Sequence, residues 1–340
     1  MTLSPTQPAV EALRALEAGF APVLEDGRVV GTVSDRSIRR TLLTTADWSA
    51  LRVADVLDDP PLTVSPSTPD VEVRAVLERN HVRAVAVVDD DRLVGTRTVA
   101  DVEAAIPATT AVVMAGGKGS RLQPLTDKVP KPLLAVGRAS ILERLLENFH
   151  EALVGDVWLA VNYMSEMIED RIGDGSDWGV RARYLHEEQP LHTAGALALL
   201  PERPEGPILV THADQVTTLP FARMVDYHLA EGAAITVGAF YHEVAVPYGV
   251  LRIDEVALTE IDEKPTLRFP CFAGFTVLDP AMLDLVPPAT VFSMVDLIEA
   301  ARAAGHRVVV FPIVEMWLDI GNWEELNRAL LWSVTGEEVM

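Results

Sequence analysis

The chain predicts an α/β fold in two parts. A small α+β tandem comes first, followed by a larger domain with a mostly parallel sheet and helices on both faces. Three observations carry this. Residues 22–32 and 86–96 repeat one another without a gap. Beyond residue 110, short apolar runs alternate with segments of helical periodicity, as crossover connections between parallel strands require. The first of those runs, residues 111–115, ends abruptly in Gly116-Gly117-Lys118-Gly119-Ser120-Arg121, so a buried strand feeds a glycine turn.

The two repeat copies read Pro22-Val-Leu-Glu-Asp-Gly-Arg-Val-Val-Gly-Thr32 and Ala86-Val-Val-Asp-Asp-Asp-Arg-Leu-Val-Gly-Thr96. Each is a strand, an acidic tight turn and a second strand, and Asp26-Gly27 is a strong hairpin signal. Amphipathic helices over 10–18 and 71–79 precede the copies, and Pro60, Pro61, Pro66 and Pro69 mark the segment between them. The copies span about residues 1–58 and 59–106. The run Ile106-Pro107-Ala108-Thr109-Thr110 reads as the boundary, with the larger domain at 109–340. In that domain, strands are expected at 157–161, 180–185, 208–211, 234–240 and 308–313, and helices at 141–152, 221–231, 294–304 and 323–333. Sheets of this kind bind ligands outside the carboxyl ends of their strands, where the glycine turn lies.

Glycines at such a turn let backbone N–H groups approach phosphate oxygens, because no Cβ intervenes. Arg121 adds a permanent charge, and Lys131 stands between Pro130 and Pro132, which stiffen the backbone. The string is neither G-x-G-x-x-G nor G-x-x-x-x-G-K-[ST]. In full it is G-G-x-G-S-R-L-x-P-L-T from Gly116 to Thr126, followed by Pro130-Lys131-Pro132, and it resembles the signature of sugar-1-phosphate nucleotidylyltransferases over about residues 109–335. The resemblance implies a Rossmann-like, mixed but mostly parallel sheet. It also implies a reaction in which a nucleoside triphosphate and a sugar 1-phosphate give an NDP-sugar and pyrophosphate. It assigns Ala115, Gly116, Gly117, Gly119 and Ser120 to the nucleotide, and Arg121, Lys131 and Lys264 to charge neutralisation at the reacting phosphates. The four lysines, Lys118, Lys128, Lys131 and Lys264, stand out in a chain whose other cations are arginines.

Residues 207–214 form a buried strand ending in Asp214, and Trp317-Leu318-Asp319-Ile320-Gly321 places a second aspartate before a helix. The resemblance assigns Asp214 and Asp319 to one Mg²⁺ site. It assigns Glu263 of Glu263-Lys264-Pro265, Tyr248 and Gly249 of Pro247-Tyr248-Gly249-Val250, and Gly274 to the sugar phosphate. Residues 187–196, with Glu187, His192 and Thr193, resemble the segment that reads the base. An ionised carboxylate only accepts hydrogen bonds. It matches the adjacent N1–H and N2 amine of guanine in bidentate fashion, so GTP is the favoured donor. Three residues depart from the family pattern: His192 for a glycine, His212 for an asparagine and Phe272 for a sugar-binding asparagine. These departures keep two other readings open. One is a cytidylyl- or other nucleotidyltransferase acting on a cyclitol phosphate, another non-sugar phosphate or a phosphonate; the other is a non-catalytic nucleotide sensor.

The N-terminal tandem resembles a CBS domain pair, whose G-x-x-[ST]-x-x-D string holds the ribose of an adenine nucleotide. The second copy has Gly95, Thr98 and Asp101, whereas the first has Ser37 where the aspartate would fall. The resemblance therefore implies one adenine-nucleotide site, at Thr98 and Asp101, and a homodimer or higher homo-oligomer.

Composition bounds the rest. With 49% hydrophobic residues the chain is globular, and no apolar run reaches the length of a membrane span. The first twenty residues lack a basic stretch before an apolar one, so no signal peptide is expected. The single cysteine, Cys271, excludes an intrachain disulfide and fits a reducing cytoplasm. A net charge of −22 argues against nucleic acid and demands a local positive pocket for an anionic substrate.

Overall fold

The computed structural model describes residues 1–45, 47–103 and 108–335. The boundary read around residue 106 falls partly on residues 104–107, and so lies outside the described residues. The larger domain is built on a seven-stranded sheet in the order Arg181–His186, Asp156–Val161, Thr110–Met114, Ile208–His212, Thr266–Leu278, Ile235–Ala245, Val308–Pro312. Six strands run parallel, and Thr266–Leu278 runs antiparallel to both of its neighbours. The sheet is mixed and mostly parallel, as expected.

Period-two alternation sorts the strand side chains between two cores. Along Thr110–Met114, Ala111 and Val113 face the core made with Leu145, Phe149, Phe221 and Met224, while Val112 faces the one made with Leu197, Met294 and Leu297. Helices Ile141–Glu151 and Phe221–Ala230 thus cover one face, and Met294–Ala303 the other. Two of these start at capping boxes: Ser140 with Glu143, and Ser293 with Asp296. Each box satisfies backbone N–H groups that the first helical turn leaves without partners.

The strand Thr266–Leu278 was not expected. It contains Pro270 and Gly274, and its partner shifts register between Val237 and Ala239, so no clean alternation marks it. A two-stranded hairpin, Gly249–Asp254 with Ala257–Glu263, projects from the sheet. The short strand Gln215–Thr217 pairs antiparallel with Trp317–Asp319.

In the N-terminal region both repeat copies form hairpins, Phe20–Glu25 with Arg28–Ser34 and Ala84–Asp89 with Arg92–Thr98. Each carries a register shift at the same place, between Val23 and Leu24 and between Val87 and Val88. The helix after the first hairpin, Asp35–Thr44, turns toward the larger domain, and Val314 of that domain joins the core of Leu13, Ile38 and Leu42.

Candidate active site

A cleft of about 240 Å³ opens at the carboxyl ends of Thr110–Met114, Ile208–His212 and Arg181–His186. Ala115, Gly116, Gly117, Lys131, Glu187, His192, Thr193 and Asp214 line it, together with Met114, Pro132, Pro190, His212 and Ala213. The glycines are there for a steric reason. A Cβ on Gly116 would sit 2.7 Å from a Glu187 carboxylate oxygen and 3.1 Å from Asn162 Cβ. Gly119 has φ +61°, and a Cβ there would press on Thr126 and Lys131. The turn is tied by Thr126 Oγ1 donating to the Gly119 carbonyl at 2.9 Å.

Lys131 is almost wholly buried, and its Nζ lies 2.5 Å from Asp214 Oδ2. Asp214 follows the strand Ile208–His212. The next three residues pair with Trp317–Asp319 so that Gln215 faces Asp319, and the Ile320 amide donates to the Asp214 carbonyl at 2.9 Å. That pairing brings together two aspartates far apart in the chain. Burial first, and then the charge of Asp214, push the Asp319 carboxyl above its ordinary range. Two mutually repelling carboxylates form a hard-oxygen donor set that a divalent cation would relieve. No group of three or more His, Cys, Asp or Glu among the described residues is placed to hold a metal. A cation here would therefore take its remaining ligands from phosphates and water, as Mg²⁺ does. Beside the pair, burial lowers the His212 imidazole and keeps it neutral, against the pull of Asp214 and Asp319.

Also in the cleft lining, Glu187 is half-buried, and burial raises its carboxyl. One of its oxygens accepts from the Leu191 amide at 3.1 Å, and its own carbonyl accepts from Asn162 Nδ2 at 2.6 Å. Asn162 was missed in the sequence; its one signal is its place at the end of the strand Asp156–Val161. His192 adopts φ +71°, a conformation that explains why a glycine would suit that position. The Thr193 hydroxyl accepts from the Met294 amide at 2.8 Å, so it braces a helix start as well as lining the cleft.

Other expected site residues lie outside this lining. Arg121 is exposed, its guanidinium packed against Gly321. Ser120 is also exposed, at the start of a single helical turn. Tyr248, Gly249, Glu263 and Lys264 gather at the base of the projecting hairpin, where Gly249 pairs with Glu263. Gly274, read as a sugar contact, packs against the side chain of Gln215. Its φ is +81°, and Gln215, also missed in the sequence, bridges the Thr211 hydroxyl (3.0 Å) and the Ala273 carbonyl (2.6 Å). Phe272, next to it, is partly exposed. In the N-terminal pair, Asp101 is exposed and Thr98 partly buried, and the two are bonded to one another (2.8 Å), because the carboxylate is used to close their own turn. A cleft of about 290 Å³ lies between the two copies, lined by Ser34, Arg36, Ser37, Arg40 and Asp58 of the first and Asn80 of the second, among others.

The nucleotidyl transferase family model matches residues 110–332. The chain belongs to that family. A CBS domain model matches residues 1–44 and 53–107 of this nucleotidyl transferase. Curated relatives include the mannose-1-phosphate guanyltransferase of Candida albicans, 31% identical over 62% of this chain and 60% of its own length. Another is the mannose-1-phosphate guanylyltransferase catalytic subunit beta of Xenopus tropicalis, 32% identical over 62% of this chain and 61% of its own. The chain thus spans about 60% of the length of these relatives. The fold is shared with a Bacillus anthracis protein provisionally assigned as a glucose-1-phosphate thymidylyltransferase, at TM-score 0.55 and 21% identity over 67% of this chain and 96% of that one. It is shared too with HddC of Yersinia pseudotuberculosis in complex with GMP-PN, at TM-score 0.51 and 22% identity over 65% and 98%. Among the described residues no helix is long and apolar enough to cross a membrane.

Proposed function

We propose that the protein transfers the nucleotidyl group of GTP to a sugar 1-phosphate, yielding a GDP-sugar and pyrophosphate. The observation that carries this reading is one cleft lined by Lys131, Asp214, Glu187 and the bare glycine backbone of Gly116 and Gly117, with Asp319 brought beside it by the pairing of its strand with Gln215. A phosphate oxygen of the acceptor attacks the α-phosphorus in line. The bond to the bridging α–β oxygen breaks, and pyrophosphate leaves. The acceptor phosphate is already ionised near neutral pH, so no side-chain nucleophile is needed. Positioning and charge neutralisation supply the catalysis.

Lys131 exchanges Asp214 for the α-phosphate when the donor enters. Arg121, beside Gly321, meets the departing pyrophosphate, and Lys264, with Tyr248, Gly249 and Glu263 at the foot of the hairpin, takes the acceptor. Asp214 and Asp319 would hold Mg²⁺, which when bound screens the donor phosphates. The naming of the relatives makes mannose 1-phosphate the first acceptor to test. An adenine nucleotide fits the cleft between the two CBS copies better than the Thr98–Asp101 turn, whose carboxylate is already bonded to Thr98.

The test is the ratio of kcat/KM for GTP over UTP, in the wild type and in Glu187→Gln. The wild type should prefer GTP. The variant should lose about tenfold or more of that preference, the worth of one charge-assisted bond to the base. A wild type that prefers UTP, or an unchanged ratio in the variant, removes Glu187 from base reading. Absence of pyrophosphate release with every NTP and sugar phosphate would favour a nucleotide sensor.

A further inference from the structure

The helix Asp35–Thr44 belongs to the N-terminal pair, yet its Arg39 ends inside the catalytic domain. The side chain has no exposed surface. Every one of its five N–H bonds is committed. Nε and Nη2 donate to Asp35 (2.7 and 3.2 Å), and Nη1 donates to the Pro312 carbonyl (2.5 Å) and to Glu315 Oε2 (3.3 Å). The second Nη2 hydrogen goes to Glu315 Oε1 (2.5 Å). The guanidinium plane also lies 4.0 Å over the Phe311 ring. Pro312 ends an edge strand of the central sheet, and the strand Trp317–Asp319 begins five residues later. Just before that strand, the Met316 carbonyl is held by Thr217 Oγ1 (2.7 Å) and the Thr218 amide (3.1 Å). Residues 312–316 are thus a connector gripped at its start by Arg39 and leading at its end to Asp319.

A buried ion pair that only joined two domains would need a charge. A planar fork with all five donors matched to acceptors on both domains fixes a direction as well. We infer that Arg39 is a positioning residue for Asp319: through Glu315 and Pro312 it sets the register in which the Trp317–Asp319 strand meets Gln215–Thr217 and places its carboxylate beside Asp214. This rests on the reading of Asp214 and Asp319 as the metal site. It makes the N-terminal pair part of the frame of the active site.

Two full-length variants test it. Arg39→Lys keeps the charge but has three donors and no plane. Arg39→Met with Glu315→Met removes both partners together; Asp35 then retains Arg223, 3.4 Å away, so no buried charge is stranded. The readout is Mn²⁺ affinity in the presence of GTP, measured by electron paramagnetic resonance of the free ion, with melting temperature and the KM for the sugar phosphate beside it. Both variants should bind Mn²⁺ about threefold to thirtyfold more weakly, the range of energetic coupling along such a chain of contacts. The double variant should remain folded, and the KM for the sugar phosphate should stay within about twofold, since coupling to Asp319 does not pass through the acceptor side. A folded double variant with wild-type Mn²⁺ affinity would reduce Arg39 to a domain clasp. Asp319→Asn separates the two readings. If it abolishes Mn²⁺ binding while the Arg39 variants do not weaken it, the positioning role alone falls. If it leaves Mn²⁺ binding untouched, the metal site falls, and this inference with it.

Discussion

At His228 the fold holds a titratable ring with almost no solvent access, in the face of the helix Phe221–Ala230. Its Nδ1 lies 2.9 Å from the Thr236 hydroxyl, and burial drives its pKa down to about 4, against a weaker upward pull from Asp279. The sign follows directly. Below about pH 6.5 the unfolded chain takes up a proton that the folded chain refuses until about pH 4, so stability is lost as pH falls through that window. The loss approaches about 3 kcal/mol at its lower end. Carboxylates titrate in the same range, so the comparison that isolates the ring is His228→Gln. Denaturant midpoints at pH 4.5 and 7.5 should differ less in the variant than in the wild type, whatever its absolute stability. Equal pH dependence in both proteins would mean that the ring is protonated in the fold. None of this was legible in the sequence, where a lone histidine at helical spacing carries no sign of its burial. Glu187 is the contrast. Its place in a recognised segment suggested a role at the base, and only the structure supplied the reason for Gly116, whose missing side chain leaves room for that carboxylate.

Among the elements, the helices marked by apolar spacing and the parallel strands, 308–313 included, were legible, and the antiparallel strand Thr266–Leu278 was not. Residues 141–152 and 294–304 were expected as helices from their apolar spacing, and the structure has Ile141–Glu151 and Met294–Ala303, with Ser140 and Ser293 capping their starts. The strand Thr266–Leu278 carries neither signal, since a proline, a glycine and a register shift break its alternation. Yet this antiparallel strand decides how the site is framed. Its Ala273 carbonyl holds Gln215, and Gln215 stands opposite Asp319. No spacing in the sequence pairs Asp214 with Asp319; a two-strand ladder does that in space. Gly274→Ala tests whether the position serves the frame or the substrate. At φ +81° an alanine is strained, and its methyl would meet the Gln215 amide. Stability should therefore fall by about 1–3 kcal/mol in urea unfolding, and turnover should fall with it. If the denaturation midpoint is unchanged and the KM for the sugar phosphate alone rises, Gly274 is a substrate contact and its packing on Gln215 is incidental.

The whole molecule is stitched together at several separated places. Glu231, at the end of the helix Phe221–Ala230, receives Arg36 (2.9 Å) and Arg40 (3.7 Å) from the N-terminal helix and Arg307 (2.7 Å) from its own domain. Arg83 of the second repeat forks onto Asp226 (2.6 and 3.1 Å), and Arg14 reaches the Val314 carbonyl at 3.1 Å. Trp48 packs edge-on against Tyr241, with ring centroids 4.5 Å apart, and Arg268 lies 4.2 Å over the Trp48 ring. Exposed ion pairs contribute little, but the Glu231 side chain is nearly buried, and Val314 is shared with an N-terminal core. Two domains joined by a merely flexible tether would melt independently. With a common core residue, a buried multi-arginine carboxylate and Arg39 threaded across, partial unfolding of either half would expose charges and apolar surface in the other. The full chain should therefore give a single calorimetric transition, with van't Hoff and calorimetric enthalpies in agreement. Glu231→Gln combined with Arg83→Ala removes two of the stitches without touching the active site, and should split that transition in two while leaving GTP binding to the folded chain intact. Two resolved transitions in the wild type would mean that docking is too weak to couple the halves. The frame that Arg39 gives to Asp319 would then have to survive the melting of the domain that supplies it.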